Sequence, residues 1–398
     1  MDNVTHAFVG AAIAETVLSR GVPAATRRIF FFTGVAAANA PDIDLVYTGL
    51  TEPPLGFLLH HRGHSHTLPG LIVLGVVIFA VLRSWPTVRI AIAGMTARCV
   101  ALIAVALASH LLMDAANSYG THLWFPFSSR WVFGDAVFVL EPWLWVILGT
   151  ALAANVARRG WHIAIWLLTF LPLAVVAYTG LTGTAVTTVL LLAAASIALW
   201  TRSWPPRRRA GVALAGAAAI FVIFFGFSRL AKHEAVRAIE AADGATVVDV
   251  ALDSNPAVPW CWSLMTLERQ GEGPSNTLVA RRGTLSLVPR LWPAASCASA
   301  RVLAVSGTPA MPVTERFVWH RRWLVDVERL RELNARDCRV RAWLQFARFP
   351  FVSDDRVADL RFENPFRANF SSMTVLAASG CPSNVTDWDP PRRDLLLR

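Results

Sequence analysis

The chain has 398 residues, 55% of them hydrophobic and 16% charged, with a formal charge of +10. So apolar a composition excludes a disordered chain, and the charge content lies well under the ~25% usual for soluble proteins. A basic balance on its own points to nucleic acid, but not in a chain this hydrophobic. An integral membrane protein whose arginines have another task is the better reading.

In chain order, the apolar segments are roughly 4–19, 29–41, 67–82, 91–113, 136–157, 161–179, 184–200 and 210–228. A spanning helix needs about 20 apolar residues, with about 17 as the lower limit. Segments 91–113 and 136–157 pass easily, and those after 160 lie near the limit. Segments 4–19 and 29–41 are short and rich in Gly and Ala, and read as half-helices or re-entrant helices. Met1–Gly10 lacks the basic region and cleavage site of a secretory signal. Residues 1–228 hold 14 Lys+Arg and 8 Asp+Glu, against 23 and 19 in 229–398. The expected architecture is a mainly α membrane domain of about eight helices over 1–228, then a mixed α/β soluble domain over 229–398. In that second domain Thr246–Ala251, Ser263–Arg269, Leu278–Val288 and Met373–Ala378 read as strands, and 323–346 carries helical spacing.

If all eight segments cross, the loops 20–28, 83–90, 158–160 and 201–209 share one side and hold 11 arginines. The loops 42–66, 114–135 and 180–183 hold only Arg62 and Arg130. The positive-inside rule puts the first set in the cytoplasm, and the N-terminus and the C-terminal domain outside it. Cys261, Cys297, Cys338 and Cys381 all fall in that domain, an even number suited to disulfides in an oxidising compartment. Three pairings are open. Glu15 and Arg98, inside apolar segments near the cytoplasmic end, are expected to neutralise each other.

Seven of the ten histidines precede residue 123: His6, His60, His61, His64, His66, His110 and His122. Asp42, Asp44, Asp114, Asp135 and Glu141 accompany them on the outward side. Ionisable groups near membrane depth are expensive, so such a cluster is a functional-site expectation. P-D-I-D at 41–44 sets two carboxylates where a helix ends. H-H-R-G-H-S-H at 60–66 packs four imidazoles and a guanidinium into one short loop. His110 and Asp114 stand at i,i+4 on one helix face. Imidazole with carboxylate suits a divalent metal, zinc first, with manganese or iron as alternatives. His122, Asp135 and His162 read as solvated residues as readily as site residues, and His233 and His320 as bystanders. No Walker loop, GxSxG, or GxGxxG after a strand supports nucleotide binding or serine hydrolysis.

T-H-A-F-V-G at 5–10, P-D-I-D at 41–44, H-R-G-H-S-H-T at 61–67, H-L-L-M-D at 110–114, N-S-Y-G-T at 117–121 and E-P-W-L-W at 141–145 together resemble the YdjM/YfhP-type inner-membrane metal-dependent hydrolases. Order and spacing agree over about residues 1–150, and F-A-R-F-P-F at 346–351 and A-D-L-R-F at 358–362 resemble the longer YfhP-type members. The resemblance implies His6, Asp42, Asp44, His61, His66, His110 and Asp114 as metal or catalytic positions. It leaves the roles of His60 and His64 open and adds Glu141 as a carboxylate candidate.

The functional expectation is a metal-dependent hydrolase of the inner membrane. A free carboxylate (Asp44, Asp114 or Glu141) would serve as general base, and Arg62 would hold an anionic oxygen. The expected partners are the bilayer and a phosphoester carried on a lipid, with no nucleic acid. A di-iron membrane oxidase or hydroxylase and a non-catalytic metal-binding membrane protein are the alternatives.

Overall fold

The computed structural model describes residues 1–18, 21–155, 159–271, 277–297, 314–362, 369–375 and 380–397. Arg20 and Arg158 of the arginine-rich loops, and the end of the strand expected over 373–378, lie outside the described residues.

Helix α1 (Asn3–Val17) is capped by Asp2, which accepts from the Thr5 amide at 2.9 Å. Its small apolar residues Ala11, Ala12 and Ala14 are buried, as are Phe8 and Ile13, so protein rather than lipid surrounds it. It packs on α2 (Ala24–Asn39). Gly10 and Gly34 meet at the crossing, where a Cβ on either would collide with the other's carbonyl. Only small residues allow helices that close. The approach brings the end of α2, which tightens into a 3-10 turn over Ala40–Val46 at Pro41, beside the start of α1. The first two candidate site segments thereby share one end of the bundle.

A short helix α3 (Leu55–His60), a 3-10 turn at His64–His66 and α4 (Leu68–Ser84) follow. Next come α5 (Pro86–Ile92), α6 (Thr96–Ala115), α7 (Pro142–Ala153), α8 (Arg159–Tyr178), α9 (Thr184–Thr201) and α10 (Pro206–Asp243). All eight apolar segments contain a helix, but not all are long and apolar enough to count as candidate spans. Among the described residues five stretches are long and apolar enough to cross a bilayer. A sixth counts if the pair α3–α4, bent by 70°, is one span. Helix α1 has 15 residues, roughly 22 Å at 1.5 Å per residue, short of a ~30 Å hydrocarbon core. Segment 136–157 becomes helical only from Pro142, because Glu141–Pro142 forms the helix start.

Helix α10 runs unbroken past residue 228 for 38 residues in all, about 57 Å, and leads into the C-terminal domain. One further expectation is corrected. Glu15 pairs with Arg27 at 2.8 Å rather than with Arg98, because the close crossing of α1 and α2 brings Arg27 beside it.

The C-terminal domain holds a four-stranded antiparallel sheet, ordered β1 (Thr246–Asn255), β2 (Val258–Gln270), β3 (Thr277–Ser286), β4 (Phe317–Val325). A second antiparallel sheet holds β5 (Pro350–Val352), β6 (Arg356–Asp359) and β7 (Ser372–Thr374). The helix expected over 323–346 is three elements. β4 takes the first residues, Asp326 caps α11 (Val327–Arg336), and Asp337 caps α12 (Cys338–Leu344). Each Asp accepts backbone amides of the next turn at 2.8 Å, which starts a new helix where an uninterrupted one was expected. Cys261 pairs with Cys297 and Cys338 with Cys381, while Cys99 is buried and free.

This domain sits on the loops that carry the histidines. Leu55, Leu58 and Leu59 of α3 share a core with Trp343, Phe346 and Phe349. The Trp388 indole donates to the Leu59 carbonyl at 2.9 Å. The cluster and the C-terminal domain therefore lie at the same end of the helical region.

Candidate metal centre

Four acceptor atoms converge under this contact. His66 Nε2 and His110 Nε2 are 3.0 Å apart. His66 Nε2 lies 3.5 Å from Asp42 Oδ1 and 3.4 Å from Asp114 Oδ2, and His110 Nε2 lies 3.6 and 3.7 Å from the same two oxygens. His66, His110 and Asp114 are fully buried, and Asp42 retains 12% exposure.

The other nitrogen of each ring explains the arrangement. His110 Nδ1 is 2.6 Å from the Ala38 carbonyl, which can only accept, so Nδ1 carries a proton and Nε2 is turned to the cluster. His66 Nδ1 faces the Asp44 carboxylate at 3.0 Å, which orients its Nε2 the same way. The two Nε2 atoms thus face each other and two carboxylate oxygens, an arrangement that a shared cation, a metal ion or a proton on His66, would hold together. A metal about 2.0–2.2 Å from four N and O ligands in a tetrahedron sets them roughly 3.3 Å apart. The donor set fits a divalent ion, with Asp44 and Ala38 as the outer partners that orient imidazole ligands.

Asp44 is an organiser. Besides His66 it accepts from the Arg62 amide at 2.8 Å and the Ser65 hydroxyl at 2.9 Å, and it meets His61 Nδ1 at 3.1 Å. These contacts hold the 61–66 turn, in which Arg62 adopts a left-handed φ of 62°, an uncommon state for a residue with a Cβ. Gly70 allows the turn to lie against α4, since a Cβ there would strike the His64 carbonyl. Asp42, Asp44 and His61 form a second group with convergent ligand atoms.

Asp114 meets Arg62 Nε at 2.9 Å and the Met1 amino group. Arg62 also donates to Asn117 Oδ1 at 2.8 Å and lies over the Tyr119 ring at 4.8 Å. His6 stacks on His110 with centroids 3.8 Å apart and stands 3.3 Å from Asp114 Oδ1. Neither of its ring nitrogens makes a hydrogen bond, though the ring is buried.

The remaining candidates lie elsewhere. Glu141 caps α7: its oxygens accept from the Trp143 and Ala257 amides at 3.1 and 3.2 Å, so it ties the β1–β2 turn to the helical region. His60 bonds Thr51, and His64 packs on Phe125 and Trp388. His122 is fully buried, stacked on Trp388 at 3.7 Å with Nδ1 at the Ser129 carbonyl. Burial pushes its pKa down to about 3, so the ring stays neutral. Asp135 belongs to the domain junction. Arg348 grips it at 2.8 and 3.0 Å and Asp249 at 2.8 and 2.9 Å, and Lys232 meets Asp135 at 2.5 Å. Burial alone would raise the Asp249 carboxyl, but Arg348 overrides it and holds it at about 2.

Sequence reasoning missed the supporting residues Ala38, Ser65, Asn117 and Asn3, whose amide donates to Asp42 at 2.7 Å. Ser65 and Asn117 sit inside motifs already singled out, and Asn3 lies three residues before His6. Ala38 acts through its backbone and leaves no side-chain signal.

Apolar helices with a two-histidine, two-aspartate cluster at one end mark a membrane protein with a candidate metal centre. Residues 1–183, a little under half of the chain, match the family described as YdjM inner membrane protein, in line with the resemblance of the motifs. The curated "Uncharacterized protein YfhP" of Bacillus subtilis (strain 168) is 29% identical over 151 residues, 37% of this chain and 43% of the relative. The match thus spans about two-fifths of the length of that relative. No solved structure matches the chain significantly.

Proposed function

We propose that this protein is a metal-dependent hydrolase of the inner membrane that cleaves a phosphoester at the face where the C-terminal domain docks. The observation that carries the reading is the convergence of His66 Nε2, His110 Nε2, Asp42 and Asp114, with both imidazoles oriented from behind. The arginine-poor loops beside the cluster and two disulfides in the adjoining domain favour an extracytoplasmic site.

His66, His110, Asp42 and Asp114 would hold the ion, with His6 beside it. Bound there, a divalent ion, zinc in the first instance, would supply a water acidified to a pKa of about 7. The chain's residues do the rest. Asp44 holds His61 through Nδ1, which leaves Nε2 of a ring with 14% exposure as a proton acceptor. The water oxygen bonds to phosphorus, the bond from phosphorus to the alcohol oxygen breaks, and His61 Nε2 passes the water's proton to that alcohol. Arg62, fixed by Asp114 and Asn117, keeps one positive charge beside an anionic group. Asp44 has its oxygens committed and is a positioning residue here rather than the base.

The test is turnover of para-nitrophenyl phosphate by detergent-purified protein loaded with zinc, manganese or iron. Wild type should hydrolyse it. His61→Gln should lose about 100-fold in kcat, in the range of general acid–base catalysis, while keeping its metal. Metal bound with no turnover under any loading overturns the hydrolase reading in favour of a binding protein, and oxygen consumption with iron favours an oxidase.

A further inference from the structure

A groove of about 560 Å³ runs along the outside of the helical region between α4 and α6. On α4 it follows the stripe Leu68, Ile72, Gly75 and Phe79, and on α6 Val100, Ala104 and Leu107. Every lining side chain is apolar. Buried Leu71, Ile103 and Leu107 form its floor, and Gly75 and Ala104 have no bulk to fill it. A side chain added at Gly75 would only reach ordinary contact with Leu107 and Ile103, so the trough is open space rather than a tight helix crossing.

Its position links it to the cluster. Leu68 comes two residues after His66, and Leu107 one helical turn before His110. The groove therefore begins where the candidate ligands leave α4 and α6 and runs from there into the membrane zone. From Leu68 to Phe79 the helix rises roughly 16 Å, about half of a ~30 Å hydrocarbon core and so the depth of one leaflet. Its mouth is lateral, with Leu68, Ile72 and Val76 exposed.

Resting on the hydrolase reading above, we propose that the substrate is a lipid phosphate ester, one hydrocarbon chain of which lies in the α4–α6 groove while its phosphate stands at the Asp42/His66/His110/Asp114 cluster. Apolar wall, single-leaflet depth and a polar, metal-ligating end match a lipid of the leaflet at that face, entering sideways without leaving the bilayer. Hydrolysis then joins the water oxygen to phosphorus, breaks the bond to the lipid alcohol, and returns the proton to that alcohol through His61.

The probes are dioleoyl phosphatidic acid in phosphatidylcholine vesicles, its acyl-diazirine analogue, and para-nitrophenyl phosphate. Two variants fill the groove, Gly75→Trp and Ala104→Phe. Both should lose at least tenfold in phosphatidate turnover while metal content and para-nitrophenyl phosphate turnover stay within twofold of wild type. Light-activated diazirine lipid should label residues 68–107 of wild type at least fivefold more than Leu171 on α8 or Leu192 on α9, and Gly75→Trp should erase that preference. Labelling spread evenly around the helices, or unchanged phosphatidate turnover in both filled variants, overturns the proposal. If wild type hydrolyses neither probe, the hydrolase reading fails, and the labelling pattern still decides whether the groove selects a lipid phosphate.

Discussion

Two buried charge networks sit a short distance apart in this molecule, and their balance differs. At the domain junction Asp135 and Asp249 face Arg348 and Lys232, and each carboxylate has its own cation. At the cluster Asp114 faces the Arg62 guanidinium and the Met1 amino group, while Asp42 and Asp44 have only imidazoles, a hydroxyl and amides as partners. Two imidazole Nε2 atoms converge there as further potential ligands. Buried charges are retained when paired or when they coordinate a metal. The junction is complete as protein; the cluster is complete with a cation. That contrast, more than the number of histidines, distinguishes a structural network from a candidate metal centre.

The contrast can be broken from either side. The largest effect is expected at the junction. Arg348→Met leaves Asp135 and Asp249 buried without their shared guanidinium, and breaking such a pair costs about 3–5 kcal/mol. Thermal unfolding and limited proteolysis of the C-terminal domain should show it, with metal content retained in the folded fraction. Asp42→Ala removes a ligand that is partly exposed, and should weaken zinc binding by about 100-fold, near 2.7 kcal/mol, with little change in melting temperature. Isothermal titration separates the two variants: the first should be a stability variant, the second a binding variant.

Asp44→Asn sharpens the comparison. It keeps the shape of the 61–66 turn but removes the carboxylate behind His66, and loss of such an outer partner typically costs 10–100-fold in metal affinity. An unchanged affinity would reduce Asp44 to a loop fastener. The smallest effect concerns His122. Its folded pKa is depressed to about 3 against an ordinary ~6.5, so the folded state binds fewer protons than the unfolded chain. Its stabilising contribution is complete above pH 6.5 and is lost as pH falls towards 3, by up to about 1.4 kcal/mol per unit. His122→Phe keeps the stack on Trp388 and should flatten the melting temperature between pH 7 and 5 relative to wild type.

Much of this was legible in the sequence because its signals are local. Apolar runs marked eight helix-containing segments, and the motifs at 41–44, 60–66 and 110–114 held Asp42, His66, His110 and Asp114, which the family resemblance implied as positions of the site together with His6, Asp44 and His61. The number of spans was less legible, since hydropathy does not say what covers a helix. Helix α1 is as apolar as its neighbours but is wrapped in protein, whereas α8 and α9 present leucines outward. Glu141, a carboxylate candidate through the resemblance, serves in the fold as a helix cap whose second partner, the Ala257 amide, lies 116 residues away. The Asp135–Arg348 pair, 213 residues apart, has no local signature at all. The break at Asp337 was readable as a cap, but the helical spacing across 323–346 masked it.

The most direct test is elemental analysis of wild-type protein and of the double variant His66→Ala/His110→Ala, purified in detergent without chelator. The account predicts at least one divalent transition-metal ion per chain in wild type. It also predicts at least one fewer in the variant, whose C-terminal domain should keep its wild-type protease resistance. Wild-type protein that is folded yet metal-free after incubation with zinc, manganese and iron, or a variant that holds as much metal as wild type, would contradict it.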